Sequence, residues 1–312
     1  LVVTIDAPLI QQAAASAAGA QQYPKATLYV VATPIGNLAD LTLRAIHALG
    51  LVDAVACEDT RVTAPLLRHL GLDKPLIALH EHNETQAAGA VIERLARGER
   101  VAYASDAGTP AVSDPGARLV AAVRAAGHRV LPLPGPSSVT TALSAAGDTQ
   151  GQGFRFVGFL SSKTVERAAQ LRELATRSET TVLFEAPHRI TALAGALAEA
   201  MPARSLSLCR ELTKQFEHIE TLDAAALPNW LAADPHRIRG EFVLVLHALP
   251  ATAGEDGPMN AGAERLLRTL VAALPLKQAV ALTAEATGAP RNALYERALQ
   301  LKSGAPTEDD AA

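Results

Sequence analysis

The chain has 312 residues, of which 49% are hydrophobic and 19% charged, so it can bury a sizeable core in two domains and is too apolar for default disorder. Its net charge is 28 − 32 = −4, which argues against attachment to nucleic acid by bulk positive charge but leaves room for a local basic groove. Cys57 and Cys209 lie far apart and make no disulfide framework, so a reducing compartment is expected, and no apolar run approaches the length of a membrane span.

Residues 1–26 are rich in Ala and Gln, and Asp6 is their only charge before Lys25. With no basic start ahead of an apolar run, they read as a flexible extension and not as a signal peptide. Residues 27–33 are β-branched and apolar, as in a buried parallel strand. Pro34-Ile35-Gly36-Asn37-Leu38 ends the strand. Asp40 or Thr42 then opens a helix with apolar Leu43, Ile46 and Leu49 and a stop at Gly50. The loop is neither a dinucleotide fingerprint nor a Walker loop. Residues 52–57 form the next strand and deliver Glu58-Asp59-Thr60-Arg61 at its end. Either those charges belong to a site, or Asp59 or Thr60 caps a helix and Arg61 is solvated. The helix runs to Leu70. A strand over 75–79 ends in His80-Glu81-His82-Asn83-Glu84. His-x-His beside carboxylates lacks a second cluster of ligands, so it reads as a polar surface for a substrate and no metal is expected.

A helix over 87–97 and a strand from residue 99 lead into the stretch around which the chain is organised, residues 103–116, Tyr-Ala-Ser-Asp-Ala-Gly-Thr-Pro-Ala-Val-Ser-Asp-Pro-Gly. It packs Asp106, Asp114, two prolines and two glycines between a strand and a helix. In an open α/β sheet that is where ligands bind. Gly108 can take a positive φ, Ser113 or Asp114 can cap the helix over 117–126, and Gly127 stops it. A strand over 129–133 ends in Pro134-Gly135-Pro136-Ser137-Ser138. Ser137 is a plausible cap for the following helix, whose free N–H groups favour an anionic group.

Three glycines in residues 147–153 mark a hinge. Beyond it come strands over 154–160, 180–184, 204–209, 215–221 and 242–247, in a mixed sheet, with a surface helix over 165–176. The strand ends deliver Glu185-Ala186-Pro187-His188-Arg189 and Arg210-Glu211-Leu212-Thr213-Lys214. Residues 250–260 read as a linker. Helices over 261–273, 276–287 and 291–302 form a helix–turn–helix-like appendage with Arg265, Arg268, Lys277, Arg291, Arg297 and Lys302, and 303–312 is an acidic, disordered tail. The expected domains are 27–147, 154–249 and 261–302. Two α/β domains that face each other across these strand-end loops make a cleft for a small molecule. No Ser-His-Asp or Cys-His arrangement emerges, so residue types alone stop at a two-domain α/β enzyme.

The motifs carry a resemblance. Thr33-Pro-Ile-Gly-Asn-Leu38, Glu58-Asp-Thr-Arg61, His80-Glu-His-Asn-Glu84, the loop from Ser105 to Gly116, Pro134-Gly-Pro-Ser-Ser138, Phe184-Glu-Ala-Pro-His-Arg189, Arg210-Glu-Leu212 and Gly240-Glu241 occur in this order. Over about residues 27–249 the chain resembles the ribosomal small subunit methyltransferase I family, of the tetrapyrrole-methylase fold. The last three helices resemble that family's appendage.

The resemblance implies S-adenosylmethionine-dependent 2′-O-methylation of a cytidine in the decoding region of 16S rRNA, by a cytoplasmic homodimer acting on the small subunit or its precursor. It implies donor binding by Ser105, Asp106, Ala111, Val112, Pro134, Gly135, Ser137 and Ser138, with Phe184 and Leu212 from the second domain. Glu185 or Lys214 is expected near the reacting hydroxyl. Arg61, Arg189 and Arg210 are expected on phosphates, and His80, His82 and His188 on the RNA. Ser113 to Gly116, with Asp114, are expected to hold the pocket wall in place. Two other readings compete: methylation of a tetrapyrrole or other small molecule on the same fold, and a non-catalytic RNA-binding assembly factor.

Overall fold

The computed structural model describes residues 6–80, 83–113, 115–250 and 261–303. His82, Asp114, most of the expected linker and the acidic tail lie outside the described residues. Contacts divide the chain into two compact units. The first is Leu1–Gly147, Arg155–Ala175 and Thr181–Leu246, and the second is Asp148–Phe154, Thr176–Thr180 and His247–Ala312.

The first unit holds two five-stranded sheets. In the first sheet, β1 (Thr27–Val31), β2 (Ala54–Cys57), β3 (Leu76–Ala78), β4 (Val101–Ala104) and β5 (Arg129–Leu133) lie in the order β3-β2-β4-β1-β5. All neighbours are parallel, with Leu28 opposite Val101 and Val31 opposite Leu133. Both faces are covered, as a parallel sheet requires. On one face Tyr29 and Val31 pack with α2 (Leu43–Leu51) and α3 (Thr60–His69). On the other, Leu28 and Tyr103 pack with α4 (Glu84–Ala96) and α5 (Ala117–Ala125). Parallel strands bring every strand-end loop to one edge, which makes that edge the place for a site.

In the second sheet, β6 (Phe154–Phe159), β7 (Thr180–Glu185), β8 (Ser205–Arg210), β9 (His218–Asp223) and β10 (Phe242–Leu246) lie in the order β6-β7-β10-β8-β9. β10 runs antiparallel to both of its neighbours. One face packs on α7 (Thr164–Ala175), α8 (Ile190–Ala200) and α9 (Leu227–Ala232). The other receives α6 (Ser138–Ala146), whose Val139, Ala142 and Ala146 pack against Val182, Cys209, Val243 and Val245. α6 follows β5 of the first sheet yet packs on the second. Its N-terminus therefore stands where the two sets of loops meet.

The structure corrects several expectations. The stretch read as a flexible extension contains a docked helix, α1 (Ala7–Ala18). Asp6 Oδ1 caps it by accepting from the Leu9 N–H at 3.2 Å, Ala14 is fully buried, and Gln11 donates to the Leu70 carbonyl. Alanine has the highest helix propensity and lets a helix pack closely, so an Ala-rich helix docks through Ala14 with Ile10 packed beside it. Ser113 does not cap α5. Gly116, at φ 128°, holds the N-cap position and gives its N–H to Glu84 Oε1. A side chain there would collide with the Tyr103 ring, whose hydroxyl donates to the Pro115 carbonyl. α8 and α9 are helices that the sequence reading passed over. Thr42 and Asp59, each left as one of two alternatives, are the residues that cap α2 and α3.

In the second unit, the glycine-rich stretch read as a hinge is pinned by one carboxylate. Asp148 accepts from the Thr180 hydroxyl at 2.6 Å, from the Ala248 N–H at 2.7 Å and from the N–H groups of Gln150 and Gly151. Here too α10 (Ala261–Ala273), α11 (Leu276–Thr287) and α12 (Arg291–Ser303) pack around Leu267, Val280, Leu294 and Ala298. Glu264 binds both Arg268 and Arg297, so two of the six cations counted toward nucleic acid are paired internally.

Candidate active site

Three loops at the carboxyl edge of the parallel sheet are knitted together. After β1, Thr33 exchanges both backbone hydrogen bonds with Gly108, at 2.9 and 3.0 Å. The Thr33 hydroxyl donates to the Ser105 carbonyl at 3.0 Å, and the Ser105 hydroxyl to the Gly108 carbonyl at 3.1 Å. Thr109 donates to the Pro136 carbonyl at 2.9 Å, and Gly135 lies against Ala32, where a Cβ would come within 2.9 Å of the alanine methyl. The loop after β2 joins through the Asp59 N–H, which donates to Asp106 Oδ1 at 3.0 Å. Burial raises the Asp106 pKa, and that hydrogen bond offsets only part of the shift. Ala111 holds a φ of 64°, a conformation that a non-glycine residue rarely adopts away from a functional site.

The facing loop, after β8, has the same kind of strain, with Glu211 at φ 52° and Thr213 at φ 65°. Lys214 Nζ lies 2.8 Å from Glu211 Oε1 and 3.1 Å from Glu241 Oε2. Glu211 Oε1 also accepts the Glu241 N–H at 2.9 Å. Burial pulls the Lys214 pKa down, but hydrogen bonds to Glu211 and Glu241 outweigh it and the net shift is upward. Burial likewise raises Glu211, and hydrogen bonds from Lys214 and Glu241 turn its net shift downward. The lysine is therefore an ammonium and Glu211 a carboxylate at neutral pH.

Between these loops opens a cavity of about 260 Å³. Ile35, Ala107, Gly108, Thr109, Val112 and Ser113 line it from the β1 and β4 loops, and Ser137, Ser138 and Val139 from the start of α6. Phe159, Phe184, Leu212, Glu241 and Val243 line it from the second sheet. Ser137 sits at the N-cap position but its hydroxyl makes no capping bond, so the first N–H groups of α6 stay available beside the cavity.

Of the residues expected to bind the donor, Val112, Ser137, Ser138, Phe184 and Leu212 line this cavity. Ala111, Pro134 and Gly135 belong to the same loops without lining it. Ser105 is buried and serves as a loop brace, and it lines, with Asp106, a separate recess of about 340 Å³ beside Thr33, Thr63 and His69. Of the two residues expected near the hydroxyl, Lys214 stands one hydrogen bond behind the cavity, through Glu241. Glu185 does not line it. Its side chain is 0% exposed, and Oε1 lies 3.0 Å from Arg189 Nε and accepts the Ala186 N–H at 2.9 Å. Arg189 also donates to the Leu160 carbonyl. Arg210 donates to the Phe216 and Arg239 carbonyls. Arg61 is exposed and paired with Asp59 at 2.6 Å, and His80 and His188 are exposed at strand ends. Glu241 is the charged residue of this lining, and its place in the Gly240-Glu241 motif gave it no role in the sequence.

The Tetrapyrrole (Corrin/Porphyrin) Methylases family matches residues 27–228, and the RsmI C-terminal HTH domain matches residues 258–302. The Neisseria meningitidis serogroup B protein named ribosomal RNA small subunit methyltransferase I is 46% identical over 277 residues, 89% of this chain and 94% of its own. The Pseudomonas aeruginosa protein of the same name is 46% identical over 88% of this chain and 97% of its own. Among solved structures, uroporphyrin-III-C-methyltransferase from Thermus thermophilus aligns with a TM-score of 0.52 at 22% identity, over 72% of this chain and 94% of that one. Cobalt precorrin-4 methyltransferase aligns with a TM-score of 0.55 at 18% identity, over 72% of this chain and 98% of that one. These structures share the fold, and the sequence relatives go further: with strand-end loops, cavity and helical appendage in place, the chain belongs to the ribosomal RNA small subunit methyltransferase I family.

Proposed function

We propose that this chain transfers the methyl group of S-adenosylmethionine to the ribose 2′-oxygen of a cytidine in the decoding region of 16S rRNA. The observation that carries the reading is 46% identity across 89% of the chain to a protein named for methylation of small-subunit rRNA. The cavity suits the donor. The uncapped start of α6 complements a carboxylate, and Ile35, Phe184, Leu212 and Val243 offer apolar surface to an adenine and a thioether chain. The donor supplies an already activated methyl on a sulfonium.

The protein's remaining work is alignment and removal of the hydroxyl proton. Lys214, held as an ammonium, is not the base. It fixes the Glu241 carboxylate and stabilises negative charge that develops on the ribose oxygen. Glu241 has a side chain 79% exposed beside the cavity and is placed to accept that proton. As the C–O bond forms and the C–S bond breaks, the proton passes to Glu241 and then to solvent. Glu185 holds the turn to Arg189. Arg61, His80 and His188 are the exposed groups offered to RNA, and Arg189 and Arg210 act by fixing loops. On the resemblance alone, the reading extends to a cytoplasmic homodimer acting on the small subunit or its precursor, and sedimentation of the purified protein tests the dimer.

Radiolabelled methyl transfer into small subunits, and none into a porphyrin precursor, is the expected result. Mass-mapping of ribose methylation in a deletion strain is the stricter test. If the decoding-region cytidine keeps its 2′-O-methyl group without this protein, the reading is sunk.

A further inference from the structure

Behind the Glu211–Lys214 pair lies a second cavity, of about 540 Å³, that the methyl-transfer chemistry does not use. It is lined by Arg210, Glu211, Phe216, His236, Arg239 and Gly240. Phe216 is 67% exposed, so its ring is open to a ligand. Arg239 and His236 are also exposed, and the Arg239 guanidinium has no hydrogen bond or ion pair among the described residues. Arg210 builds the wall. Its guanidinium donates to the Phe216 carbonyl at 3.0 Å and to the Arg239 carbonyl at 3.3 Å, so one side chain fixes the loop carrying the ring to the loop carrying the free arginine. Gly240, at φ 92°, completes the wall. A side chain there would collide with Glu211.

We propose that this cavity is a nucleotide subsite: it takes a nucleotide adjoining the methylated cytidine, with its base stacked on Phe216 and its phosphate on Arg239. An exposed aromatic face beside an unpaired guanidinium is the pair of surfaces by which single-stranded RNA is held, since every base has a π-face and every linkage a phosphate. The location fits. Glu211 lines this cavity and binds Lys214, which binds Glu241 at the edge of the methyl-transfer cavity. The Glu211–Lys214–Glu241 chain links the two. A net charge of −4 leaves no bulk attraction for RNA, so binding must be concentrated in built subsites of this kind. The inference rests on the proposed rRNA 2′-O-methylation and adds a location for substrate affinity.

The test uses the full chain, radiolabelled S-adenosylmethionine and small ribosomal subunits from a strain lacking the enzyme. Phe216→Ala is expected to raise KM for the subunit about 5- to 150-fold, the loss that one base–aromatic stack represents, with kcat within about twofold. Phe216→Trp should restore KM. Arg239→Ala should raise KM and lower the slope of log affinity against log salt by about 0.7, as for one phosphate contact on a single strand. The affinity for S-adenosylmethionine by calorimetry should stay unchanged in both variants. An unchanged KM in both, with the wild type active, overturns this inference and leaves the methylation reading standing. A donor affinity that falls in proportion with Phe216→Ala also overturns it, by assigning the cavity to the donor. A wild type that methylates no subunit fells both.

Discussion

Gly36, in the loop after β1, lies directly against the stem of Lys214, in the loop after β8. A Cβ at Gly36 would collide with Lys214 Cγ, and would stand 2.9 Å from Cε and 3.2 Å from the Leu212 carbonyl oxygen. The bare glycine lets the two loops close on one another. Gly36→Ala is expected to lower kcat tenfold to a hundredfold by displacing the ammonium, since small misplacements at a reacting centre have effects of that order. Gly36 is exposed, so the melting temperature should stay within about 3 °C of wild type. Parallel kinetics and thermal melts check the pair of outcomes.

Lys214 and Glu211 define a pH window. The folded Lys214 pKa lies above its ordinary 10.5, so its contribution to stability is full below 10.5 and is lost as pH climbs through the folded value. The folded Glu211 pKa lies below its ordinary 4.5, so its contribution is full above 4.5 and is lost as pH falls through the folded value. Between those limits the pair does not titrate. Lys214→Met should lower kcat about a hundredfold or more, and Lys214→Arg should retain part of the rate with an unchanged pH profile from about pH 6 to 9. A pH limb present in the wild type and missing in the arginine variant would make the lysine a base after all.

Glu185 should behave as a brace. Its side chain is 0% exposed and that of Arg189 only 21%, so Glu185→Ala strands a mostly buried guanidinium. Breaking such a pair destabilises by about 3–5 kcal/mol. Glu185→Gln keeps an oxygen for the Ala186 N–H and should lose less. Urea denaturation measures both. Turnover per folded molecule should stay within about tenfold, because the side chain does not reach the cavity. Lost turnover at full stability would return Glu185 to the catalytic role read from the sequence.

Asp106 separates holding a loop from touching the donor. Its folded pKa is raised, chiefly by burial, so its contribution to stability is full at low pH and declines as pH rises through the folded value. At neutral pH the charge is a burden that Asp106→Asn removes, while the amide oxygen still accepts the Asp59 N–H. The melting temperature at pH 7 should hold or rise by up to about 3 °C. Donor affinity by calorimetry should be unchanged in the Asn variant and weakened in Asp106→Ala, which has no acceptor for the Asp59 N–H. Equal weakening in both would put the carboxylate on the donor itself.

The strands were legible because their apolar, β-branched runs end abruptly at Gly, Pro or charged residues: β5 matches its expected span, and β1 and β10 fall within theirs. Helix α1 was not, since its buried residues are Ala14 and Ala18, which do not stand out in an Ala-rich stretch. Helix α8 was passed over although Ile190, Leu193, Ala194 and Leu197 recur at helical spacing, because Arg189 at its N-cap makes no side-chain cap bond. At the site, an acid at a strand end reads the same whether it meets solvent or an arginine four residues on, so the burial of Glu185 could not be read. Glu241 was missed because its partner Lys214 is 27 residues away and meets it only through the pairing of β8 with β10.

That pairing also dictates when the protein can become an enzyme. β10 is inserted between β7 and β8, which have no hydrogen-bonded ladder with each other, although both precede it in the chain. During synthesis those two strands wait, edges unpaired, for residues 242–246. Phe184, Leu212, Glu241 and Val243 therefore come together only after about four-fifths of the chain has left the ribosome. A nascent or truncated chain ending before β10 has no complete second wall to its cavity, and its exposed strand edges mark it for aggregation or disposal.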